Sequence, residues 1–388
     1  MSTVDATVVQ AAVGAVTDPE LRRPLSELDM VRSVTVQGGT AHVEIALTIV
    51  GCPAADRIAR DVRSAAASVA GVVDVDLVVG VMTPTERAAL TERLRGGRAR
   101  VMPFGPDSLT RVIAVTSGKG GVGKSTVTAN LAVALARRGL AVGLVDADVH
   151  GFSIPGLLGL VDADGLPPQP TRIDDLMLPP VAYGVKTISI GMFLPRGEPA
   201  AAVAWRGPML HRTVQQFLTD VFFGDLDVLL LDMPPGTGDI AISVGQLLPH
   251  AEVIVVTTPQ TAASDVAVRS GLVAGQTGQR VIGVVENMAT MTLPDGTALD
   301  LFGTGGGEVV AAALTGRARE ADPGAAAVPL LGSVPLSVAL RRGGDAGVPV
   351  VVGAADDPAA QAIDAVAEAL AFTARRGLVG RSLPLTPR

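Results

Sequence analysis

The stretch Val112–Gly139, VIAVTSGKGGVGKSTVTANLAVALARRG, decides how the rest of the chain is read. An apolar run from Val112 to Val115 has strand character and stops at Ser117, where four glycines follow: Gly118, Gly120, Gly121 and Gly123. Lys124, Ser125 and Thr126 come next, and Leu131, Ala134, Leu135 and Arg138 recur at helical spacing until Gly139 supplies a left-handed stop. The order is strand, loop, helix, and Gly118 to Ser125 matches G-x-x-x-x-G-K-[ST]. Glycines let the backbone wrap a phosphate with its N–H groups turned inward, and the start of the helix adds partial positive charge. The expected cradle is Gly118, Lys119, Gly120, Gly121, Val122, Gly123, Lys124, Ser125 and Thr126. Lys124 would meet the β- and γ-phosphates of ATP, and the Ser125 hydroxyl would ligate magnesium.

The same glycines also satisfy G-x-G-x-x-G, and Asp146, at the end of the next apolar strand, sits where a dinucleotide fold keeps its ribose-binding acid. The glycines alone do not decide. Lysine usage favours the triphosphate: of 31 Lys plus Arg, only Lys119, Lys124 and Lys186 are lysine, and two of them lie in this loop. A compact, flexible ammonium suits phosphate in such a loop better than a planar guanidinium fork.

At 388 residues the chain should hold two domains, and 48% hydrophobic residues suffice for a full core. A net charge of −7 with no basic tract argues against a general nucleic-acid binder. With one cysteine, Cys52, no intramolecular disulfide can form; Met1 onward shows no basic-then-apolar signal, and a cytoplasmic location is expected. No apolar run approaches the ~20 residues of a membrane span.

Residues 4–82 read as a small α/β module. Val4–Val16 is helical, Val31–Val36 and Ala41–Ile49 are strands about a Gly38-Gly39 hairpin, Pro53–Val69 is a helix and Val72–Val81 a third strand. Cys52 lies just before a helix with Pro53 in its first turn. A thiol there has either a lowered pKa, with reactivity or metal affinity, or the ordinary role of a half-buried small residue. A polar helix from Thr83-Pro84 leads to a Gly/Pro/Arg linker. The expected organisation is a small domain over 1–95, a linker over 96–109 and a nucleotide domain over 110–388.

Within the larger domain Ala141–Val145 is a strand that ends in Asp146-Ala147-Asp148, facing the same crevice as the loop. One of these acids is placed to orient an attacking water or hold a magnesium-bound one, with a solvated turn as the plain alternative. The region from Pro155 to Pro180 is loop-rich and has no evident role. Val228–Leu231 delivers Asp232 into Met233-Pro234-Pro235-Gly236, the way a nucleotide triphosphatase brings its magnesium-side carboxylate to the phosphate loop. A dehydrogenase has no such need. Val281–Val285 ends at Glu286-Asn287, where an amide can pair with an adenine edge.

Read together, SGKGGVGKST, VDADVHG, WRGPMLHR, LLLDMPPGTGD, TTPQ and VVENM, in this order, resemble the Mrp/ApbC family of iron–sulfur cluster carrier ATPases. That family belongs to the deviant P-loop ATPases that include MinD, ParA and ArsA. Residues 3–82 are similar to the iron–sulfur assembly domain that many members carry, including the DPE at Asp18 and the cysteine at Cys52. The resemblance implies an α/β fold with a doubly wound, mostly parallel sheet, slow magnesium-dependent ATP hydrolysis and a homodimer. Lys119 matches the extra loop lysine that reaches a partner's phosphates, Ser125 and Asp232 the magnesium-handling pair, Asp148 a water-orienting acid and Asn287 an adenine contact. Catalysis would then fall to Lys119, Lys124 and Asp148. Apoproteins or assembly scaffolds are the implied partners, and a [4Fe–4S] cluster is the implied cargo.

One departure stands out. Family members place a C-x-x-C after the VxENM phrase, and two subunits share one cluster through four thiolates. Here Ala289–Gly307 reads ATMTLPDGTALDLFGTGGG without cysteine. Cys52 is the one sulfur ligand left, with His150 and His211 as conceivable substitutes. Three accounts remain open: labile binding by paired Cys52 with outside ligands, ATP hydrolysis acting on a partner's cluster, or loss of the cluster role. A ParA/MinD-like positioning switch is the alternative from another class. It would require a DNA- or membrane-binding surface, and the tail with Arg375, Arg376 and Arg381 has no stripe of large apolar residues.

Overall fold

A computed structural model describes residues 4–49, 52–95, 102–149, 151–194, 207–293 and 295–376. Residues 96–101 of the expected linker, His150, Trp205 and Arg381 lie outside the described residues. Along the chain come α1 (Ala6–Gly14), β1 (Val31–Gln37), β2 (Thr40–Leu47), α2 (Ala55–Ala67), β3 (Asp74–Val81), α3 (Pro84–Arg95), β4 (Arg111–Ser117), α4 (Lys124–Arg137) and β5 (Val142–Asp146). There follow α5 (Ile154–Leu157), β6 (Thr171–Ile173), β7 (Leu176–Leu178), β8 (Val181–Ala182), β9 (Val185–Ser189), α6 (Gly207–Thr219), β10 (Val228–Asp232), α7 (Asp239–Leu247) and β11 (Glu252–Thr257). The last elements are α8 (Thr261–Gln276), β12 (Arg280–Ala289), β13 (Met291–Thr292), β14 (Ala298–Leu299), α9 (Gly306–Ala321), β15 (Leu330–Pro335), α10 (Val338–Ala346), α11 (Val350–Gly353) and α12 (Pro358–Arg376).

Two compact units emerge. The smaller comprises Met1–Val101, Pro170–Pro180 and Asp220–Gly224. Its sheet has the order β1-β2-β3, antiparallel then parallel. Val9 and Val13 of α1 and Ile58 and Val62 of α2 are fully buried with Val43 and Ile45 of β2. The hairpin β6–β7, which turns through Asp174 at φ 54, adds Ile173, Leu176 and Leu178 to this core, and Phe222 packs against it. The sequence alone put residues 170–180 and 220–224 in the nucleotide domain. They join the small unit because a sheet of three strands and about 100 residues has little apolar surface of its own to bury.

The larger unit holds an eight-stranded sheet in the order β15-β12-β11-β4-β10-β5-β9-β8. Every neighbouring pair is parallel except β8–β9 at the edge. Central strands β4, β5, β10 and β11 are buried almost throughout, as parallel strands covered by helices on both faces require. Helices α4, α5, α11 and α12 make one set of mutual contacts, and α6, α7, α8 and α9 touch in series as another. The fold is α/β and doubly wound. Strand β4 lies between β10 and β11, with β5 beyond β10, so the carboxyl ends bearing Ser117, Asp232 and Asp146 open into one crevice, where the sheet reverses its winding.

Candidate nucleotide site and the Cys52 cluster

The loop 118–123 is held from three sides before any ligand enters. A Cβ on Gly118 would lie 2.2 Å from the Val266 carbonyl carbon of α8, so only glycine lets the strand end pass that helix. Gly123 caps α4 at φ 80, and a Cβ there would meet the Asn287 amide nitrogen at 2.2 Å. Asn287 Nδ2 donates to the Val122 carbonyl at 2.8 Å. Pro235-Gly236, following β10, is tied in through the Gly236 N–H, which donates to the Ser117 carbonyl at 2.7 Å.

Under the loop lies a buried polar knot. Lys124 Nζ donates to Asp232 Oδ2 at 2.7 Å and to Ser125 Oγ at 3.1 Å, and stands 3.7 Å from Asp148 Oδ2. Ser125 Oγ donates to the same Asp232 oxygen at 2.6 Å, while Thr128 Oγ1 lies 2.9 Å from Asp232 Oδ1. Lys124 is 5% exposed and Asp232 not at all. Burial pushes the Asp232 carboxyl above the ordinary carboxylate range, and the Lys124 ammonium holds that rise back. Asp146 is its register neighbour on β5 and equally buried. Burial first, and the Asp232 charge second, raise Asp146 well above the usual value, although Ser189 Oγ donates to its Oδ2 at 2.9 Å.

Above the knot is a cavity of about 370 Å³, lined by residues 119–126 together with Ser117, Asp148, Gly151, Ser153 and Pro235. Nine of the sequence-expected residues are thereby gathered at one site: Lys119, Gly120, Gly121, Val122, Gly123, Lys124, Ser125, Thr126 and Asp148. Gly118 supports the loop from behind. Lys119 is half-buried beside the exposed Gly120-Gly121 tip, its Nζ 3.1 Å from Gln260 Oε1. Asn287 is 4% exposed and one N–H of its amide is used to hold the loop, which leaves the second N–H and the Oδ1 of the side chain for the expected adenine contact. On either side of it, Glu286 and Ala289 line a second cavity of about 1050 Å³ that reaches Pro335, Leu336 and Ser337. Thr128 was missed, though it lies one helical turn beyond Lys124 on the same face.

A site for magnesium fits these residues: a hydroxyl and a carboxylate side by side are hard oxygen donors, and the loop's own cation already balances the carboxylate.

Cys52 behaves otherwise than a helix-start thiol. Helix α2 begins three residues later, and Cys52 is 7% exposed. Its thiol faces Glu20 Oε2 at 3.7 Å. Burial pushes the thiol up to about 11; the Ala54 N–H holds back part of that rise, and the Glu20 and Asp18 charges add to it. The lowered-pKa expectation is therefore corrected: desolvation outweighs the helix end. Glu20 Oε1 accepts from Thr171 Oγ1 at 2.8 Å, and Asp18 Oδ1 accepts the Glu20 and Leu21 N–H groups, each at 2.8 Å. Both carboxyls are raised, chiefly by burial.

With the geometry in view, likeness to known proteins becomes informative. Residues 108–371 match the family described as NUBPL iron-transfer P-loop NTPase, and residues 6–77 match the family described as iron–sulfur cluster assembly protein. A protein of Mycobacterium tuberculosis named iron–sulfur cluster carrier protein is 54% identical over 382 residues, 98% of this chain and 96% of its own length. One of Synechocystis with the same name is 40% identical over 373 residues, 96% of this chain and 98% of its own. Among solved structures, a nucleotide-binding protein of Archaeoglobus fulgidus in complex with ADP is 35% identical, covers 61% of this chain and 86% of its own, and has a TM-score of 0.48.

Proposed function

The chain belongs to the NUBPL iron-transfer P-loop NTPase family, and from that premise we propose that it is an ATP-binding and ATP-hydrolysing carrier or assembly factor that helps load iron–sulfur clusters onto apoproteins. The observation that carries the reading is the knot of Lys124, Ser125 and Asp232 at the root of a glycine loop. In this reading the loop N–H groups and Lys124 bind the phosphates, with Lys124 leaving Asp232 to do so. Ser125 and Asp232 hold magnesium, which when bound neutralises charge on the phosphates. Asp148, 3.7 Å from the Lys124 ammonium, orients the attacking water. Lys119, half-buried and held by the Gln260 amide oxygen, extends to a second copy's phosphates as two chains close on ATP. The base occupies the large cavity beside Pro335-Leu336-Ser337, and Asn287 fixes the loop edge against it.

Relatives named as cluster carriers support this reading over a positioning switch. The cytoplasm is the expected location, and among the described residues no helix is long and apolar enough to cross a membrane. The test is phosphate release together with cluster transfer from a loaded scaffold to an apoprotein, each with and without ATP. Hydrolysis that needs Lys124, and transfer that ATP accelerates, are the expected results. Turnover unchanged in Lys124→Ala would remove the enzymatic half of the proposal.

A further inference from the structure

We infer that any [4Fe–4S] cluster handled by this protein is held by thiolates of its partner, and that this chain supplies none. The inference rests on the cluster-handling function proposed above and adds the partner's chemistry: a scaffold or apoprotein that brings its own cysteines.

Stoichiometry sets the first limit. Such a cluster takes four thiolates. The sequence contains one cysteine, so a dimer offers two. At least two ligands must come from outside, whatever Cys52 does.

Cys52 is itself a poor ligand. Its sulfur is buried, and the thiol is occupied as a donor to Glu20. The charged groups that bear on it, Glu20 and Asp18, are both acidic, so a thiolate there would meet two like charges. Glu20 is in turn fixed by Thr171 and Asp18 by two backbone N–H groups, so neither carboxylate is poised to swing away.

The segment where the family carries its C-x-x-C offers no sulfur either. Here β13 and β14 form a small antiparallel hairpin, with Met291 opposite Leu299 and Thr292 opposite Ala298. Its oxygens are used to hold it: Thr290 Oγ1 bonds to the Asp300 carboxylate, and Asp295 Oδ1 accepts the Thr297 N–H at 2.9 Å. Hydroxyls and carboxylates suit hard cations, whereas iron–sulfur clusters select thiolate. Among the described residues no three His, Cys, Asp or Glu side chains gather as a metal site.

Transfer is then a ligand exchange within a complex. Each client thiol binds iron as a thiolate and gives up its proton, which the departing partner thiolate takes up. The cluster keeps its charge and no electron moves. The chain's ATP cycle acts on the complex that brings donor and client together.

Wild type and Cys52→Ser would be incubated anaerobically with iron and sulfide and then desalted, with a four-cysteine apoferredoxin treated in parallel to show that the chemistry works. We expect both forms of the chain to keep less than roughly a tenth of a cluster per dimer. In the second arm a cluster-loaded scaffold delivers to apoferredoxin, and ATP should speed delivery equally with wild type and Cys52→Ser. A wild-type chain that keeps about one cluster per dimer, or a Cys52→Ser chain that loses the ATP effect, overturns the inference. An ATP effect missing from wild type as well would instead remove the function on which it rests.

Discussion

The knot under the phosphate loop and the acid pair beside Cys52 are both buried and both rich in carboxylates, yet they are balanced in opposite ways. Asp232 is matched by a full cation, Lys124, and by the hydroxyl of Ser125. Asp18 and Glu20 are met by backbone N–H groups, the Thr171 hydroxyl and the Cys52 thiol, which donate without bringing charge. A cation can be lent to a phosphate and returned, and its loss leaves an ion uncompensated. Neutral donors cannot be lent in that way. On the function proposed above, the first site is the one that exchanges ligands and the second stays closed.

The largest expected effect tests the lent cation. Lys124→Ala should lower ATP turnover about a thousandfold, on the scale of removing a positioned charge from a developing phosphate oxyanion. Glu20→Gln, at the closed site, should leave turnover within about twofold, since Glu20 belongs to the small unit's own network. Phosphate release from the two variants reads both, and equal losses would erase the contrast.

The next effect is at the thiol. With a pKa of about 11, Cys52 carries at pH 8 about 0.1% thiolate, against about a quarter for an ordinary cysteine. Higher intrinsic nucleophilicity restores about tenfold of this, leaving alkylation by iodoacetamide about twentyfold slower than for a free thiol, before any shielding. Since the thiolate is the reactive form and the thiol is raised, the rate should keep climbing between pH 9 and about 11, where a free cysteine has already levelled off. A plateau by pH 9 would show an open, activated cysteine. Thr171→Val should then cost about 1 kcal/mol, because a partly buried carboxylate loses one donor. It should also change the Cys52 alkylation rate, which loss of core packing elsewhere would leave alone.

These two sites also differ in how far the sequence exposed them. Strand, glycines, lysine and helix follow one another from Val112 to Gly139, and four apolar residues before Asp232 mark a buried strand with an acid at its end; local order carried both signals. Thr171 and Glu20 meet across 151 residues of chain, and no periodicity links them. The hairpin 170–180 looked like an idle loop because three of its apolar residues, Ile173, Leu176 and Leu178, fill the core of another unit. Asn287 sat at a legible strand end, but the direction of its amide depends on the left-handed Gly123 beneath which it packs. Burial is likewise tertiary, so the raised Cys52 thiol was hidden behind a local rule about helix starts that desolvation overrides.

The smallest expected effect sharpens the comparison inside the knot, where Asp232 is bonded to a cation and its neighbour Asp146 is held by the Ser189 hydroxyl and the Asp148 N–H and feels the Lys124 charge less than either. In this respect Asp146 resembles the closed site, although it lies within the open one. Its carboxyl is raised when folded, so the folded chain binds the proton more tightly than the unfolded chain. The stability this contributes is complete below the ordinary aspartate value near 4 and is lost as pH rises toward the folded value. Asp146→Asn keeps the shape, cannot ionise and adds no charge beside Asp232, so it should change stability by less than about 1 kcal/mol at the acid end of that window. Above it, the variant should lose less melting temperature than wild type as pH climbs. Thermal unfolding of both proteins across pH 5 to 9 measures this difference. A wild-type curve that rises more steeply with pH than the variant's would mean that Asp146 is a paired anion like Asp232, and that the Lys124 charge serves both acids.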